Sequence, residues 1–234
     1  MRNYRIESAI VAVGLALAGL FIYLGFGKFA QRDRVVSVRG LAEREVDADH
    51  VIWPIIYKTT GNDLQAIYAE TNSANAKISQ FLTANGIKAE EISVSAPQIV
   101  DLRADRYINQ ENIVERYNVT STVTVSSGQV ALVRQLMSRM GELLKQGIAI
   151  SAGDYGSTVQ YEFNGLNKIK PEMIEEATKN AREAARKFAA DSESELGKIK
   201  DASQGLFSIE DRDQYTPHVK RVRVVTSVNY YLES

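Results

Sequence analysis

The 234-residue chain contains no cysteine, which removes disulfides, thiolate metal sites, thiol redox chemistry and a lipidated N-terminal cysteine together. Histidine is nearly absent too: with only His50 and His218, a structural zinc site would have to be completed by several carboxylates. There is no excess of charge of either sign, since 28 Lys and Arg stand against 29 Asp and Glu for a net charge of -1. No nucleic-acid partner is implied. The chain also lacks G-x-S-x-G, H-E-x-x-H, a phosphate-binding P-loop and G-x-G-x-x-G, so hydrolase, metalloprotease and nucleotide-binding chemistry lack their local spacings. We expect no catalytic residue, no cofactor and no metal.

What is present is one long uncharged run, SAIVAVGLALAGLFIYLGFG at residues 8–27, bracketed by Arg2 and Arg5 before and by Lys28, Arg32 and Arg34 after. Twenty helical residues rise roughly 30 Å, the thickness of a bilayer core. A removable signal peptide has a shorter apolar run and small residues at its cleavage site; here Lys28-Phe29-Ala30 puts a lysine where a small residue is wanted. The expected organisation is a tail at 1–7, an uncleaved transmembrane signal anchor at 8–27, a linker at 28–34 and an exported domain at 35–234. Flanking charge is close to a tie, so the positive-inside rule leaves orientation open.

Beyond the linker the periodicity changes repeatedly. Val35, Val36 and Val38 open a strand, Gly40 marks a bulge or turn, the polar AEREVDAD reads as a bend, and VIWPIIYKTT reads as a second strand. Pro54 predicts an edge position or a bulge because it has no N–H for a ladder. Leu64, Ile67, Tyr68, Thr71, Ala74, Ile78, Phe81 and Leu82 predict an amphipathic helix, capped by Asn62 or Asp63 and ended by Asn85-Gly86. EEISVSAPQIVDL and RYNVTSTVTVSS predict strands, the latter placing Tyr117, Val119, Ser121, Val123 and Val125 on one face. A second helix carries Val130, Val133, Leu136, Met137, Met140 and Leu144, and STVQYEF reads as a further strand. The longest helix is expected from Pro171 to about Leu196, stopped by Gly197, with Ile174, Ala177, Ala181, Ala184, Ala185, Phe188 and Ala189 buried. Closing strands follow at about 199–209 and 219–232. Two halves share one layout: a helix, a strand, a charged loop with Asp, Arg and Tyr (ADRYIN, EDRDQYT) and a return strand. The fold class expected is α+β, antiparallel sheets with packed helices in two helix-plus-hairpin halves, preceded by the membrane helix.

These residues carry a resemblance. VVSVRGLAEREVDADHVIW, ANGIKAEEISVSAPQIVD, RYNVTSTVTVSS, EEATKNAREAARKFAADSESELGKI and VRVVTSVNYYLE are together similar to the SIMPL-domain family over nearly all of 35–234, with Ala48 where the family usually has proline. The resemblance implies an exported bacterial envelope domain, often homo-oligomeric and loosely linked to envelope or oxidative stress, with no established catalytic residues. Together with the anchor expected at 8–27, this makes the expected protein a single-pass inner-membrane one whose C-terminal domain lies in the periplasm or outside.

The acidic stretch Glu43, Arg44, Glu45, Asp47, Asp49 and His50 poses the sharpest choice between site and structure. Strand alternation would send Val46, Ala48 and His50 to one face and Asp47 and Asp49 to the other, so carboxylates and imidazole point apart. We read the stretch as turn and strand, Asp49 as a strand-opening residue, and Trp53 as a core anchor. Neither histidine has an obvious serine partner. The better candidates for contact with another subunit or partner are Arg103, Arg106, Tyr107, Arg212 and Tyr215, in the charged loops 101–115 and 210–218. Two functions follow: a membrane-anchored, non-enzymatic envelope scaffold that self-associates, or a ligand sensor or enzyme whose concave pocket would gather perturbed carboxylates or His50.

Overall fold

The computed structural model describes residues 4–30, 34–104, 113–151 and 156–233, and within the first helix the side chains of Ser8 and residues 10–23. In chain order the elements are α1 (Tyr4–Ala30), β1 (Val35–Asp47), β2 (His50–Gly61), α2 (Leu64–Ala84), a 3-10 turn (Ala89–Glu91), β3 (Ile92–Val94), β4 (Gln98–Asp101), β5 (Tyr117–Ser127), α3 (Val130–Ser138), α4 (Gly141–Leu144), β6 (Gln160–Glu162), α5 (Leu166–Asp191), β7 (Glu195–Gln204), β8 (Ser208–Asp211) and β9 (Val219–Glu233). One sheet has the order β1-β9-β7 with β8 also on β9; the other has β3-β5-β2-β6 with β4 also on β5. The α+β class with antiparallel sheets and packed helices is what the periodicities predict. The chain divides into two compact units, one of Met1–Arg44, Lys168–Ser208 and Val222–Ser234, the other of Glu45–Asn167 and Ile209–Arg221.

Within α1, every described apolar side chain is exposed, the large ones from Leu17 at 49% to Tyr23 at 76%. Among the described residues no helix is long and apolar enough to cross a membrane; the described side chains of α1 form a shorter stretch than the about 20 residues a bilayer needs.

The second unit is built on the β2–β5 ladder, antiparallel from Val51↔Ser127 to Gly61↔Tyr117. Alternation sends Val51, Trp53, Ile55, Tyr57, Val123 and Val125 to one face, where they pack with Ile78, Phe81 and Leu82 of α2. Each aromatic there withdraws roughly 150–250 Å² from water, and Trp53 is buried as expected. Helix α2 starts where Asp63 accepts from Gln65 N at 2.8 Å and Ala66 N at 3.4 Å, a cap worth about 1 kcal/mol. It ends at Asn85, followed by Gly86 at φ +97°, a left-handed conformation that suits glycine.

Several expectations for this unit need correction. The AEREVDAD segment is strand through Asp47, leaving only Ala48 and Asp49 as the turn; its polar residues alternate, so one face stays solvated while Arg44 and Val46 are half-buried. Pro54 lies in β2 between β5 and β6. Period-two alternation puts its nitrogen on the side of the Ile56 carbonyl, which accepts from Ser151 N at 2.7 Å, and β6 pairs only with residues 50–52. Pro54 therefore faces a stretch of the ladder where no β6 partner requires its N–H. EEISVSAPQIVDL is broken into the 3-10 turn, β3 and β4, because Pro97 cannot donate. The α3 helix stops at Ser138 and α4 restarts, which advances the phase: Leu143 is fully buried and Leu144 is 63% exposed. Only residues 160–162 of STVQYEF are paired as strand.

The first unit packs α5 on the β1-β9-β7 sheet. Helix α5 begins at Leu166, so Pro171 lies inside it. The missing N–H leaves only the Asn167 carbonyl without its usual intrahelical donor, close to the helix start. Its buried residues recur every fourth position, Met173, Ala177, Ala181, Ala185 and Ala189. Phe188, expected inside, is 54% exposed, and Ala184 is exposed as well. These alanines bring the helix backbone close to Gly40, where an added Cβ would lie 1.8 Å from the Ala177 carbonyl oxygen and 2.5 Å from Ala181 N. Gly40 is thus required for close approach within a continuous strand, which replaces the expected bulge or turn. The helix ends at Asp191, where Glu193 takes φ 52°. Ser194 N donates to Ala189 O at 2.9 Å and Glu193 N to Ala190 O at 3.2 Å, the paired bonds of a Schellman motif. Gly197 does not stop the helix; it lies in β7 at a register shift, where a Cβ would meet Glu233 Oε1 at 2.7 Å. The expected 199–209 strand is β7 and β8, separated by an exposed turn.

Candidate functional site

The acidic stretch does not converge on a site. Glu43, Glu45 and Asp47 lie on the exposed side of β1. Arg44 faces the other way and pairs with Glu172 at 2.8 Å and Glu176 at 3.9 Å. Glu45 is held by Arg212 at 3.4 Å and Arg221 at 3.9 Å. Asp49 Oδ1 accepts Asn164 N at 2.8 Å, so this carboxylate caps a loop rather than merely opening β2. Among the described residues no group of three or more His, Asp or Glu could hold a metal ion.

His50 does have a serine partner, contrary to expectation: its Nε2 lies 2.9 Å from Ser126 Oγ. The β2–β5 register pairs Ser126 with Ile52, which sets the serine beside His50 on one sheet face. A nucleophilic serine needs N–H donors free to hold an oxyanion. Ser126 lies within the regular β2–β5 ladder, not at a sharp turn or helix N-terminus of the kind that aims several N–H groups at one point. The pair is a cross-strand hydrogen bond. His218 contacts the Tyr161 ring at a centroid distance of 6.1 Å; burial, reinforced by Arg134, holds its imidazole below the ordinary value.

The two loops singled out by composition sit on well-braced bases. At the first, Arg116 grips Asp101 with both carboxylate oxygens, Nε at 3.1 Å from each and a terminal nitrogen at 2.7 Å from Oδ2, while its guanidinium lies 4.8 Å from the Tyr117 ring centre. Leu102 N donates to Arg116 O at 2.8 Å. Asn62 closes the same base, accepting Arg116 N at 3.0 Å and donating to Val114 O at 3.2 Å. The Arg116 hydrogen bond holds the Asp101 carboxyl below the usual range. Arg103 follows directly, its N donating to Asp101 Oδ1 at 3.0 Å. Arg106 and Tyr107 lie outside the described residues.

At the second loop Asp213 organises the turn. Its Oδ1 accepts Tyr215 N and Thr216 N, each at 2.8 Å, and its Oδ2 accepts the Thr216 hydroxyl and Arg212 Nε at 3.1 Å. The Thr216 hydroxyl first, then Arg212, hold this carboxyl far below the ordinary range. Arg212, expected as a contact residue, also reaches Glu45 and is committed to the turn. Tyr215 is presented by it and is 84% exposed. Asp101, Arg116 and Asp213 were not singled out from sequence, and Asn62 was read only as a possible cap of α2, whereas Asp63 is the cap and Asn62 a brace. Opposite charges at the two ends of one strand–loop–strand segment, Asp101 and Arg116, were the available signal.

A groove of about 460 Å³ lies within the second unit, lined among others by Ile56, Lys58, Gln98 and Thr120. Among its described lining residues there is neither histidine nor carboxylate.

These features define an α+β protein whose two charged loops have hydrogen-bonded, ion-paired bases. The chain belongs to the SIMPL family, described as a protein of unknown function (DUF541), which it matches over residues 36–227. No curated protein matches it.

Proposed function

We propose that the protein is a membrane-anchored, non-enzymatic envelope component whose SIMPL domain self-associates and presents its braced loops as an assembly or binding surface. The observation that carries the reading is α1: a continuous 27-residue helix with its described apolar side chains exposed, covering the uncharged run 8–27. Apolar side chains all round a helix are at home in lipid. Such a span suits an uncleaved anchor, with the domain exported from a bacterial inner membrane. Self-association is supported by the family resemblance and by the exposed side chains of Tyr215 and Val114 in the two loops, the latter 85% exposed. With no thiol in the chain, any link to envelope or oxidative stress is indirect.

The test has two parts. Full-length protein should stay in the membrane through alkaline carbonate extraction and be digested by protease added outside the inner membrane, whereas a chain starting at residue 34 should be released. Native mass of the full chain in detergent should show a discrete multimer that Arg106→Ala or Tyr107→Ala dissociates. Release of the full-length chain by carbonate, or a monomer at every concentration, would refute the corresponding half of the reading.

A further inference from the structure

The pairing of β1 with β9 fixes which backbone groups of β1 stay outside the sheet. Leu232 N donates to Arg34 O at 2.9 Å, and Ala48 N donates to His218 O at 2.8 Å. Both pairs belong to one antiparallel register, so β1 runs without a bulge between them. Its even-numbered residues turn their N–H and C=O toward β9, and Val35, Ser37, Arg39, Leu41 and Glu43 turn theirs the other way. The Leu41 carbonyl agrees, since it accepts from Asn180 Nδ2 of α5 at 2.8 Å. Among the described residues no strand pairs with that second side of β1.

A regular edge of 13 residues is long, and natural sheets ordinarily cover or blunt such edges. One row of α5 overhangs this one. Glu172 and Glu176 reach Arg44, and Asn180 reaches Leu41; Ala184 and Phe188 continue the same four-residue spacing. Both are exposed, Phe188 at 54%, and Leu41 is 41% exposed on the sheet face away from α5. An unpaired ladder with apolar side chains on both of its faces is suited to receiving an added strand. The solvent face of β1 is also graded in charge, with Arg39 in its first half and Glu43 and Glu45 in its second.

We propose that a second copy of this chain adds its own β1 to this edge, antiparallel about a two-fold axis through Leu41, so that the two sheets become one. The axis sets Leu41 of one copy against Leu41 of the other, an isologous contact. Antiparallel addition brings the basic half of each strand against the acidic half of the other, whereas parallel addition in register would set like charges opposite. Arg39 then faces Glu43 of the second copy, adding a cation to a carboxylate that already has an interaction in its own chain. On the α5 side the overhanging rows meet with Asn180 at the axis, and the small Ala184 gives the helices room to approach. From Leu41 to Val35 the strand rises about 20 Å, so the two N-terminal ends lie about 40 Å apart in one plane, and both anchors enter the same bilayer. The inference rests on the self-association of the proposed function and adds the sheet edge to its loops.

The test is oxidative cross-linking of the full chain in detergent micelles, which the lack of any native cysteine makes specific to the introduced position. Residues opposite one another in a hydrogen-bonded pair have Cα atoms about 5.5 Å apart, a separation a disulfide spans. Leu41→Cys should therefore form a covalent dimer at low protein concentration. Leu206→Cys, 95% exposed in the turn after β7, should stay monomeric under the same oxidant. Leu41→Lys sets two ammonium groups together at the axis and should weaken association at least about tenfold in native mass. Ala184→Arg should do the same by filling the space between the helices. Both side chains are exposed in the single chain, so native melting curves should accompany both losses. Cross-linking at Leu41 no faster than at Leu206, or unchanged native mass in both Leu41→Lys and Ala184→Arg, would overturn the edge contact while a persisting multimer left self-association standing. A monomer at every concentration would overturn both.

Discussion

The two sheets are closed by the same arrangement and stabilised by opposite means. In each, one strand pairs with three others: β5 lies between β2 and β3 with β4 beside it, and β9 lies between β1 and β7 with β8 beside it. In each, a long helix precedes two strands that pair with the shared one: α2 comes before β3 and β4, and α5 before β7 and β8. Yet the core around α2 is filled by Trp53, Tyr57, Phe81 and many aliphatic side chains, whereas the α5 core is a small set, Val36, Ala181, Ala185, Val228 and Tyr230. The first gains stability from the area of large side chains withdrawn from water. The second lets Gly40 and the alanines bring helix and strand backbones into contact, with dispersion over a short distance standing in for bulk. The same layout thus tolerates truncation and enlargement differently on its two sides.

The comparison can be broken from either end. Trp53→Ala removes the largest side chain of the α2 core and should cost about 3–5 kcal/mol, read by chemical denaturation followed by circular dichroism. Gly40→Ala should cost about 2–3 kcal/mol, because the new methyl meets helix backbone that cannot rotate away. The matching test in the other unit is Gly128→Ala, whose Cβ would have only a 3.5 Å neighbour, and it should stay within about 1 kcal/mol of native. Equal costs at Gly40 and Gly128 would remove the distinction.

Acid should separate the units as well. The carboxyls of Glu91, Asp101, Glu142 and Asp213 are held low by the Ser127 hydroxyl, by Arg116, by Arg139 and by Thr216 respectively, and all four belong to the second unit. A depressed carboxyl stabilises the fold above its unfolded value and loses that contribution as pH falls through the folded one. The thermal midpoint read from the single tryptophan, Trp53, should therefore decline as pH drops below about 4. A midpoint flat between pH 5 and 2 would contradict this.

Two smaller effects refine the comparison. Glu193→Gly should raise stability by up to about 1 kcal/mol, since glycine takes the left-handed position after α5 without the steric cost. Tyr215→Ala should change stability by less than about 0.5 kcal/mol while shifting the native-mass profile if the tip makes subunit contacts. A large stability loss would mean the ring packs in solution, contrary to its exposure.

Much of the fold was legible where local signals act alone. The α2 boundaries follow from Asp63 and Asn85-Gly86, and the buried face of β5 follows from alternation, because a cap and a period-two pattern are properties of neighbouring residues. Reading failed where distant residues decide. Gly197 looked like a helix stop, but the stop comes from a Schellman turn at Glu193, and the glycine is needed beside Glu233 and Tyr231 of β9. Polar AEREVDAD looked like a bend because its partners in α5 and in the Arg212 loop lie more than a hundred residues away. Of the candidate loop residues, composition picked out Arg212 and Tyr215 alike; tertiary hydrogen bonds commit the arginine to the turn and leave the tyrosine exposed.

What the sequence determined by itself was the uncharged run at 8–27, the lack of thiol chemistry, the α+β class and its repeated layout, since each depends on composition or short-range period. What only the tertiary structure decided was which glycine permits close packing, which carboxylates brace loops, and that Leu41 and Asn180 meet at the free edge of β1. Those depend on register between strands far apart in the chain, and register is set when whole apolar faces are buried together.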